Sequence, residues 1–340
     1  MKPSEILVLG ATGYVGSRLV HSLIDSGYSV RASYRTEEKA RQCTWFGLEG
    51  VTSVKADVLE YESLLEVSRD IDVIYYLIHS MYGSGNFVQT DRRAARNTAS
   101  VAKHNGVQRI VYLGGLGEES GKLSKHLKSR IEVRDILETS EIPVTTLRAA
   151  MIVGSGSASF EIMRYLVDRL PVMTTPRWVR TLSQPIAISN VLQYLVGALE
   201  ESRTIGKVLD IGGPQILRYH DLMTTYAEEA GLIRRLIIPL PILSPQLSSY
   251  WVDLVTPIPA SIARPLVEGL QNETICTNTD ILGMIPLDLL SIRDAIRLAL
   301  SQRMHLSSKK FIPEWTQPND PPWSGSKQQL LPIHFPLLRL

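Results

Sequence analysis

Cysteine is nearly absent: Cys43 and Cys276 are the only two in 340 residues. Two thiols so far apart make neither a disulfide framework nor a metal-ligand cluster, which fits a reducing compartment. Neither sign of charge is in excess, since 36 Lys and Arg stand against 34 Asp and Glu, a formal net charge of +2. With no dense basic run, there is little electrostatic drive toward nucleic acid. No apolar run approaches the ~20 residues that a membrane-spanning helix needs; the best, Leu236 to Leu243, is short and broken by Pro239 and Pro241. Ile6–Leu9 meets Gly10 too soon to be a signal peptide. The expectation is a cytoplasmic protein with no transmembrane segment and no nucleic-acid partner. What remains is globular composition, 44% hydrophobic and 21% charged. At roughly 100–200 residues per domain, the length allows two cores or one large one.

The first 150 or so residues alternate short apolar runs with helical patterns, the βαβ rhythm of a parallel sheet. Candidate strands are 6–9, 29–33, 51–56, 73–77, 109–113 and 144–148, with amphipathic helices over 15–26, 61–68, 91–105 and 124–140. Several strands are apolar at successive positions, which fits a sheet covered by helices on both faces. The expected fold class is α/β, a Rossmann-type doubly wound parallel sheet. Beyond Arg148, Gly154 to Ser157 punctuates the chain, a helical run spans 160–169, and Pro171, Pro176 and Pro185 break up the next stretch. A strand at 208–211 and a helix over 219–230 come after it. We therefore divide the chain into a dinucleotide-binding domain over 1–153, a substrate subdomain over 154–305 interwoven with the sheet, and an irregular tail over 306–340. Trp315 and Trp323 are candidates to anchor that tail by packing.

Strand 6–9 runs into Gly10-Ala11-Thr12-Gly13-Tyr14-Val15-Gly16, where a helix begins. Glycines at this spacing give a tight turn, a close approach to a pyrophosphate and close packing of helix on strand. The helix N-terminus adds free N–H groups and a positive dipole end. An NAD site usually places an acid about 20 residues further on. Here the second strand ends Arg31-Ala32-Ser33-Tyr34-Arg35, with no acid before Glu37. Arg35, supported by Ser33 or Arg31, is placed to grip a 2′-phosphate. NADP(H) is therefore the preferred cofactor, with NAD(H) possible. Asp57 and Val58 follow the third strand, where they either meet an adenine or, for Asp57, cap the helix near Glu60. Leu77, Ile78 and His79 end the fourth strand, beneath the expected cofactor ribose.

Together with Tyr75 to Met81, Asp91 to Asn97, Tyr112 to Gly117 and Leu147 to Ser157, this loop resembles the atypical short-chain dehydrogenase/reductases. The likeness is to their NAD(P)-binding, epimerase-like group, and more distantly to NmrA-type redox sensors and an accessory subunit of respiratory complex I. The resemblance covers roughly residues 4 to 300 and implies cofactor-dependent oxidoreductase chemistry, in a group that often continues into a further ligand-binding domain. Active members of that superfamily carry a Tyr-x-x-x-Lys pair on the helix after the fifth strand. In this chain His126 and Arg130 hold those positions, one helical turn apart, and no serine ends the fifth strand. Either His126 serves as an alternative acid/base within its ordinary titration range, with Arg130 on the ribose, or the site binds cofactor without that chemistry. Substrate candidates are Arg148, Ser155, Ser157 and Arg177, with Phe160, Glu161 and Trp178 nearby. The leading expectation is hydride transfer to or from a small carbonyl, alcohol or enone. Its competitor is a non-catalytic redox sensor or assembly scaffold, and a homo-oligomer or protein partner is compatible with either. No metal site is expected.

Overall fold

The computed structural model describes residues 5–82, 87–117, 123–239, 255–301 and 313–324. In chain order the first half forms β1 (Ile6–Leu9), α1 (Tyr14–Asp25), β2 (Val30–Tyr34), α2 (Glu37–Arg41), β3 (Val51–Lys55), α3 (Tyr61–Val67) and β4 (Val73–Tyr76). Then come α4 (Phe87–His104), β5 (Arg109–Gly115), α5 (Lys125–Glu138), β6 (Val144–Ala149), β7 (Ile152–Val153) and α6 (Ala158–Arg169). The rest comprises β8 (Val172–Thr175), β9 (Leu182–Ser183), β10 (Ile186–Ala187), α7 (Ile188–Glu200), β11 (Val208–Ile211), β12 (Leu217–Arg218) and α8 (Tyr219–Glu229). It ends with β13 (Leu236–Pro239), α9 (Ala260–Gly269), α10 (Asp280–Met284) and α11 (Ile292–Ser301).

Seven strands form one sheet in the order β11-β6-β5-β4-β1-β2-β3, and every pairing within it is parallel. This is the Rossmann-type doubly wound sheet. β1 and β4 are buried at every residue, because helices cover both faces. Ile6, Val8, Tyr75 and Val111 pack toward α1 and α7, while Leu7, Leu9, Ile74, Tyr76 and Tyr112 face the cluster under α3, α4 and α5. A third apolar cluster joins α6, α8, α9 and α11 around Phe160, Tyr226 and Ile262.

Two features add most to the sequence reading. Helix α7 is not among the expected elements: it follows β10 directly, Ala187 offers no side-chain cap, and burial of Ile188, Val191, Leu192, Tyr194 and Leu195 leaves little polar periodicity. It packs on α1 and accepts a hydrogen bond from Tyr75 Oη at the Leu195 carbonyl, 2.8 Å away. The second is the segment 313–324, expected within an irregular tail that Trp315 and Trp323 were candidates to anchor. It is docked. Arg18 of α1, fully buried, pairs with buried Asp320 at 2.9 and 2.7 Å. Arg18 also donates to the carbonyls of Pro313 (2.7 Å) and Trp315 (2.6 Å). Trp323 is buried against the third cluster, and its carbonyl accepts from Tyr165 Oη at 2.8 Å. The remainder of the expected tail, residues 306–312 and 325–340, lies outside the described residues.

Candidate functional site

A cleft of about 560 Å³ opens along the C-terminal edge of the sheet, running from the β1–α1 loop to α5. That edge, where strand order reverses between β1 and β4, is where open α/β sheets bind ligands. Gly10 has φ +90°, and a Cβ there would meet the Leu77 carbonyl oxygen at 2.9 Å. A Cβ on Gly16 would sit 2.2 Å from the Gly10 oxygen, so only glycine lets α1 start against β1. Gly13 is the N-cap of α1 without a side-chain bond, and no acid occupies the first turn. The helix therefore turns bare amides and an uncompensated dipole toward the cleft.

The loop's own carbonyls are tied down. The Ala11 oxygen accepts from Trp45 Nε1 at 3.0 Å, and the Thr12 oxygen from Asn319 Nδ2 at 3.5 Å. Sequence reasoning missed both donors, which are distant in sequence and carry no motif. Thr12, Gly13, Tyr14, Val15 and Gly16 all line the cleft. The Tyr14 ring lies 4.1 Å from the Arg18 guanidinium, and its buried hydroxyl, with no hydrogen-bond partner, has its pKa pushed up mainly by burial.

Arg35, just past β2, also lines the cleft; it is exposed and has no ion pair among the described residues. Ser33 accepts from the Gly10 amide at 3.4 Å. Arg31 cannot support Arg35, because its guanidinium donates to the carbonyls of Val67 and Arg69, 2.9 Å each. Asp57 and Val58 line the cleft, but Asp57 does not cap α3, whose N-cap is Glu60; it accepts from the Leu59 amide at 2.9 Å in a local turn.

At the far end Leu77, Ile78, His79, His126 and Arg130 line the cleft. The imidazoles of His79 and His126 stack, with centroids 4.9 Å apart at 24°. Beneath them buried Asp91 accepts from the Ser80 amide at 3.0 Å, from Ser129 Oγ at 3.2 Å, and from Arg130. Arg130 also donates to the Ile78 carbonyl at 3.2 Å. Its guanidinium is held by Asp91 and Ile78, and its buried Nε has no hydrogen-bond partner. The ordinary titration range expected of His126 needs correcting. Burial, then the Arg130 cation, lowers its pKa to about 3. Burial, Arg130 and the neighbouring ring push His79 the same way. Both rings are neutral near pH 7; both His79 nitrogens and His126 Nδ1 are buried without a hydrogen-bond partner, and His79 Nδ1 lies 3.8 Å from an Asp91 carboxylate oxygen. Unpaired buried polar atoms lining a cleft are what a ligand would satisfy.

The expected substrate residues do not converge. Arg148 does not line the cleft; its Nε donates to Asp210 across the β6–β11 ladder at 2.7 Å. Asp210 is in turn held by the amides of Thr277 and Asn278. Ser155 is buried against Thr316 Oγ1 at 2.7 Å. Ser157 lines the cleft, with its hydroxyl on the Ile152 carbonyl. The N-terminus of α6 is not open to an anion, because Glu161, fully buried, already accepts from the Gly156 amide at 2.9 Å and from Arg164 at 2.6 Å. The side chain of Arg177 lies outside the described residues. Among the described residues no cluster of three or more His, Cys, Asp or Glu is placed to hold a metal, and no helix is long and apolar enough to cross a membrane.

A parallel doubly wound sheet with a glycine-built helix N-terminus at its switch point defines the Rossmann-type class. Within that class the chain belongs to the NmrA-like family, whose model matches residues 2–211. It is 27% identical over 221 residues to subunit 9 of the NADH dehydrogenase (ubiquinone) 1 alpha subcomplex, mitochondrial, of Arabidopsis thaliana, covering 63% of this chain and 55% of that relative. This chain thus spans little more than half that protein's length. An isoflavone reductase homolog of Lupinus albus is 23% identical over 246 residues, 68% of this chain and 77% of the relative. The triphenylmethane reductase of Citrobacter sp. in complex with NADP(H) superposes with a TM-score of 0.70 at 20% identity, over 87% of this chain and 100% of that one. At that identity the likeness is one of fold.

Proposed function

We propose that the protein binds NADP(H) in the cleft and transfers hydride to or from a carbonyl, alcohol or enone. The observation that carries this reading is the bare N-terminus of α1, where the Cβ atoms missing from Gly10 and Gly16 would collide with backbone oxygens. That cradle fits a pyrophosphate. The loop residues Gly10 to Gly16 would hold it, Arg35 a 2′-phosphate, Asp57 and Val58 the adenine side, and Leu77 to His79 the ribose side. When bound, the nicotinamide supplies or accepts the hydride. The chain's part is to stabilise charge on the substrate oxygen. A neutral His126 donates an N–H there, as a neutral imidazole can polarise a carbonyl; burial, and then the Arg130 cation beneath, keep the ring from protonating. The proton that completes the alcohol comes from water, because an imidazole this reluctant to charge carries no spare proton at neutral pH.

Titrating NADPH and NADH into the wild type and Arg35→Ala tests the cofactor assignment. Loss of one charge-assisted contact should cost about 1.5–3 kcal/mol of NADPH affinity and leave NADH unchanged. Equal affinity for both cofactors in the wild type would overturn the preference.

The competing reading, a cofactor-binding subunit without turnover, draws on the Arg130–Asp91 pair occupying the group that would replace the lysine. A relative that is a subunit of a larger assembly adds to it. Such a protein would not signal through its thiols, since burial pushes both Cys43 and Cys276 up to about 12. NADPH binding with no turnover across a panel of ketones, enones and alcohols would favour this reading.

A further inference from the structure

Neither Arg18, one turn into α1, nor any residue of the segment 313–324 lines the cleft. The fully buried Arg18 guanidinium nevertheless joins two of its walls. On one side Nη1 donates to the Tyr14 carbonyl at 2.9 Å, and the Tyr14 ring, which lines the cleft, packs on the guanidinium. On the other side Nη2 donates to the Ser155 carbonyl at 3.3 Å, just before the β7–α6 connection enters the cleft wall at Ser157. The segment 313–324 completes this join from behind. Asp320 takes both Arg18 terminal nitrogens, and its Oδ2 also accepts from the Gln317 amide at 2.7 Å. The Glu314 carbonyl accepts from the Ser155 amide at 2.8 Å. Gly156, with φ +96°, shows that the fit is specific: a Cβ there would lie 2.7 Å from Asp320 Oδ2. The glycine keeps space for the carboxylate.

We propose that Arg18 and Asp320 are positioning residues for the dinucleotide, and that docking of the segment 313–324 and binding of the ligand strengthen each other. Docked, the segment holds the start of α1 and the β7–α6 connection at one spacing. The amides of one wall and Ser157 to Ser159 of the other then meet the ligand already in place. Undocked, it leaves a buried cation without its carboxylate, and such a guanidinium has to leave its pocket or draw in water. Either movement shifts the Tyr14 and Ser155 carbonyls that it holds, and the two walls with them. Hydrogen bonds from α1 to a pyrophosphate weaken steeply with such displacement. A bound dinucleotide fixes the same two walls, so it favours the docked segment by the same factor. No atom of the segment has to touch the ligand. This role rests on the reading that the cleft takes the dinucleotide. A staple that only stabilises the fold shows no such coupling.

Hydrogen exchange of the full wild-type chain, with and without saturating NADPH, tests the coupling without relying on a variant that has to fold. The amides of Gln317, Asp320 and Ser324 are bonded within the segment and report its docking. NADPH should slow them by roughly 5- to 150-fold, the range of coupling between distinct sites. Amides of α10, which does not line the cleft, should keep their rate. Titration of Asp320→Ala supplies the second readout. Its NADPH affinity should fall by the same roughly 5- to 150-fold, while adenosine 2′-monophosphate, which lacks the pyrophosphate, stays within about twofold. Asp320→Asn, which can still accept from Arg18, should recover part of the loss. Exchange unchanged by bound NADPH, or NADPH affinity unchanged in Asp320→Ala, would reduce the segment to a staple and leave the cofactor reading standing. Equal weakening of both ligands would overturn positioning in favour of a loosened fold. A wild type that binds no NADPH would sink the cofactor reading and this role with it.

Discussion

At its phosphate end the cleft is made of backbone, with Gly10, Gly13 and Gly16 leaving the amides of α1 bare, whereas at its far end it is made of side chains, two stacked histidines over the buried Asp91–Arg130 pair. Backbone recognition needs only local chain geometry, so a seven-residue stretch carries it. Side-chain recognition here needs groups from β4, α4 and α5 held in register by the sheet. The first end gains its charge complementarity from unpaired N–H groups; the second keeps two rings uncharged by burial beside a cation. On the proposed reading, one cleft would hold an anion at one end and a neutral carbonyl at the other.

The sharpest way to break that contrast is Gly13→Val. A Cβ at this position already meets the Gly10 oxygen at 3.2 Å, and the branch beyond it fills the space left for phosphate. Dinucleotide binding should vanish while thermal unfolding stays cooperative; retained affinity would mean the backbone end is only a turn. Asp320→Ala comes next. It leaves the Arg18 cation buried and unpaired, which typically costs about 3–5 kcal/mol, read as the shift in urea midpoint multiplied by the m-value. A loss below about 1 kcal/mol, the range of exposed pairs, would show that the 313–324 segment does not stay docked in solution.

At the side-chain end, His126→Ala should lower kcat by about 10²–10³, the scale set by losing one donor to a developing oxyanion, with NADPH affinity held within a few-fold. Because the ring does not titrate near neutrality, the wild-type rate should show no inflection attributable to it between about pH 5 and 8. A full-rate His126→Ala enzyme would move the donor elsewhere. The smallest effect is on stability in acid. Both histidines stay neutral in the fold and bind protons in the unfolded chain, so stability present above pH 6.5 falls as pH drops toward 3. Each contributes at most about 1.4 kcal/mol per pH unit. Comparing urea melts at pH 7 and pH 5 for the wild type and His126→Asn checks it; identical acid slopes would mean that the ring is solvated.

The same contrast explains what the sequence made legible. The strands from β1 to β6 and the glycine loop are written in local patterns, apolar runs and intervals of three, and the structure places them within a residue or two of where those patterns put them. The position of His126, four before Arg130, was equally visible. Their environment was not: Asp91, 35 or more positions away, enters only when α4 packs on α5. That contact makes Arg130 half of an ion pair, while burial and then the Arg130 cation turn an expected acid/base into a neutral donor. Arg148 failed for a like reason, since Asp210 becomes its neighbour only when β11 joins β6. Trp45 and Asn319 had no local signature at all.

The bond between Arg18 and Asp320 links residues 302 apart in sequence. Closing so long a loop comes late in folding, after the local βα units have formed. A ribosome that has already released β1 and α1 still has to synthesise some three hundred residues before the guanidinium buried behind the phosphate loop meets its counter-ion. During translation the N-terminal helix carries a cation without its counter-ion, and a message cut short before residue 320 would yield a nearly complete sheet whose glycine-loop end has been left unlatched.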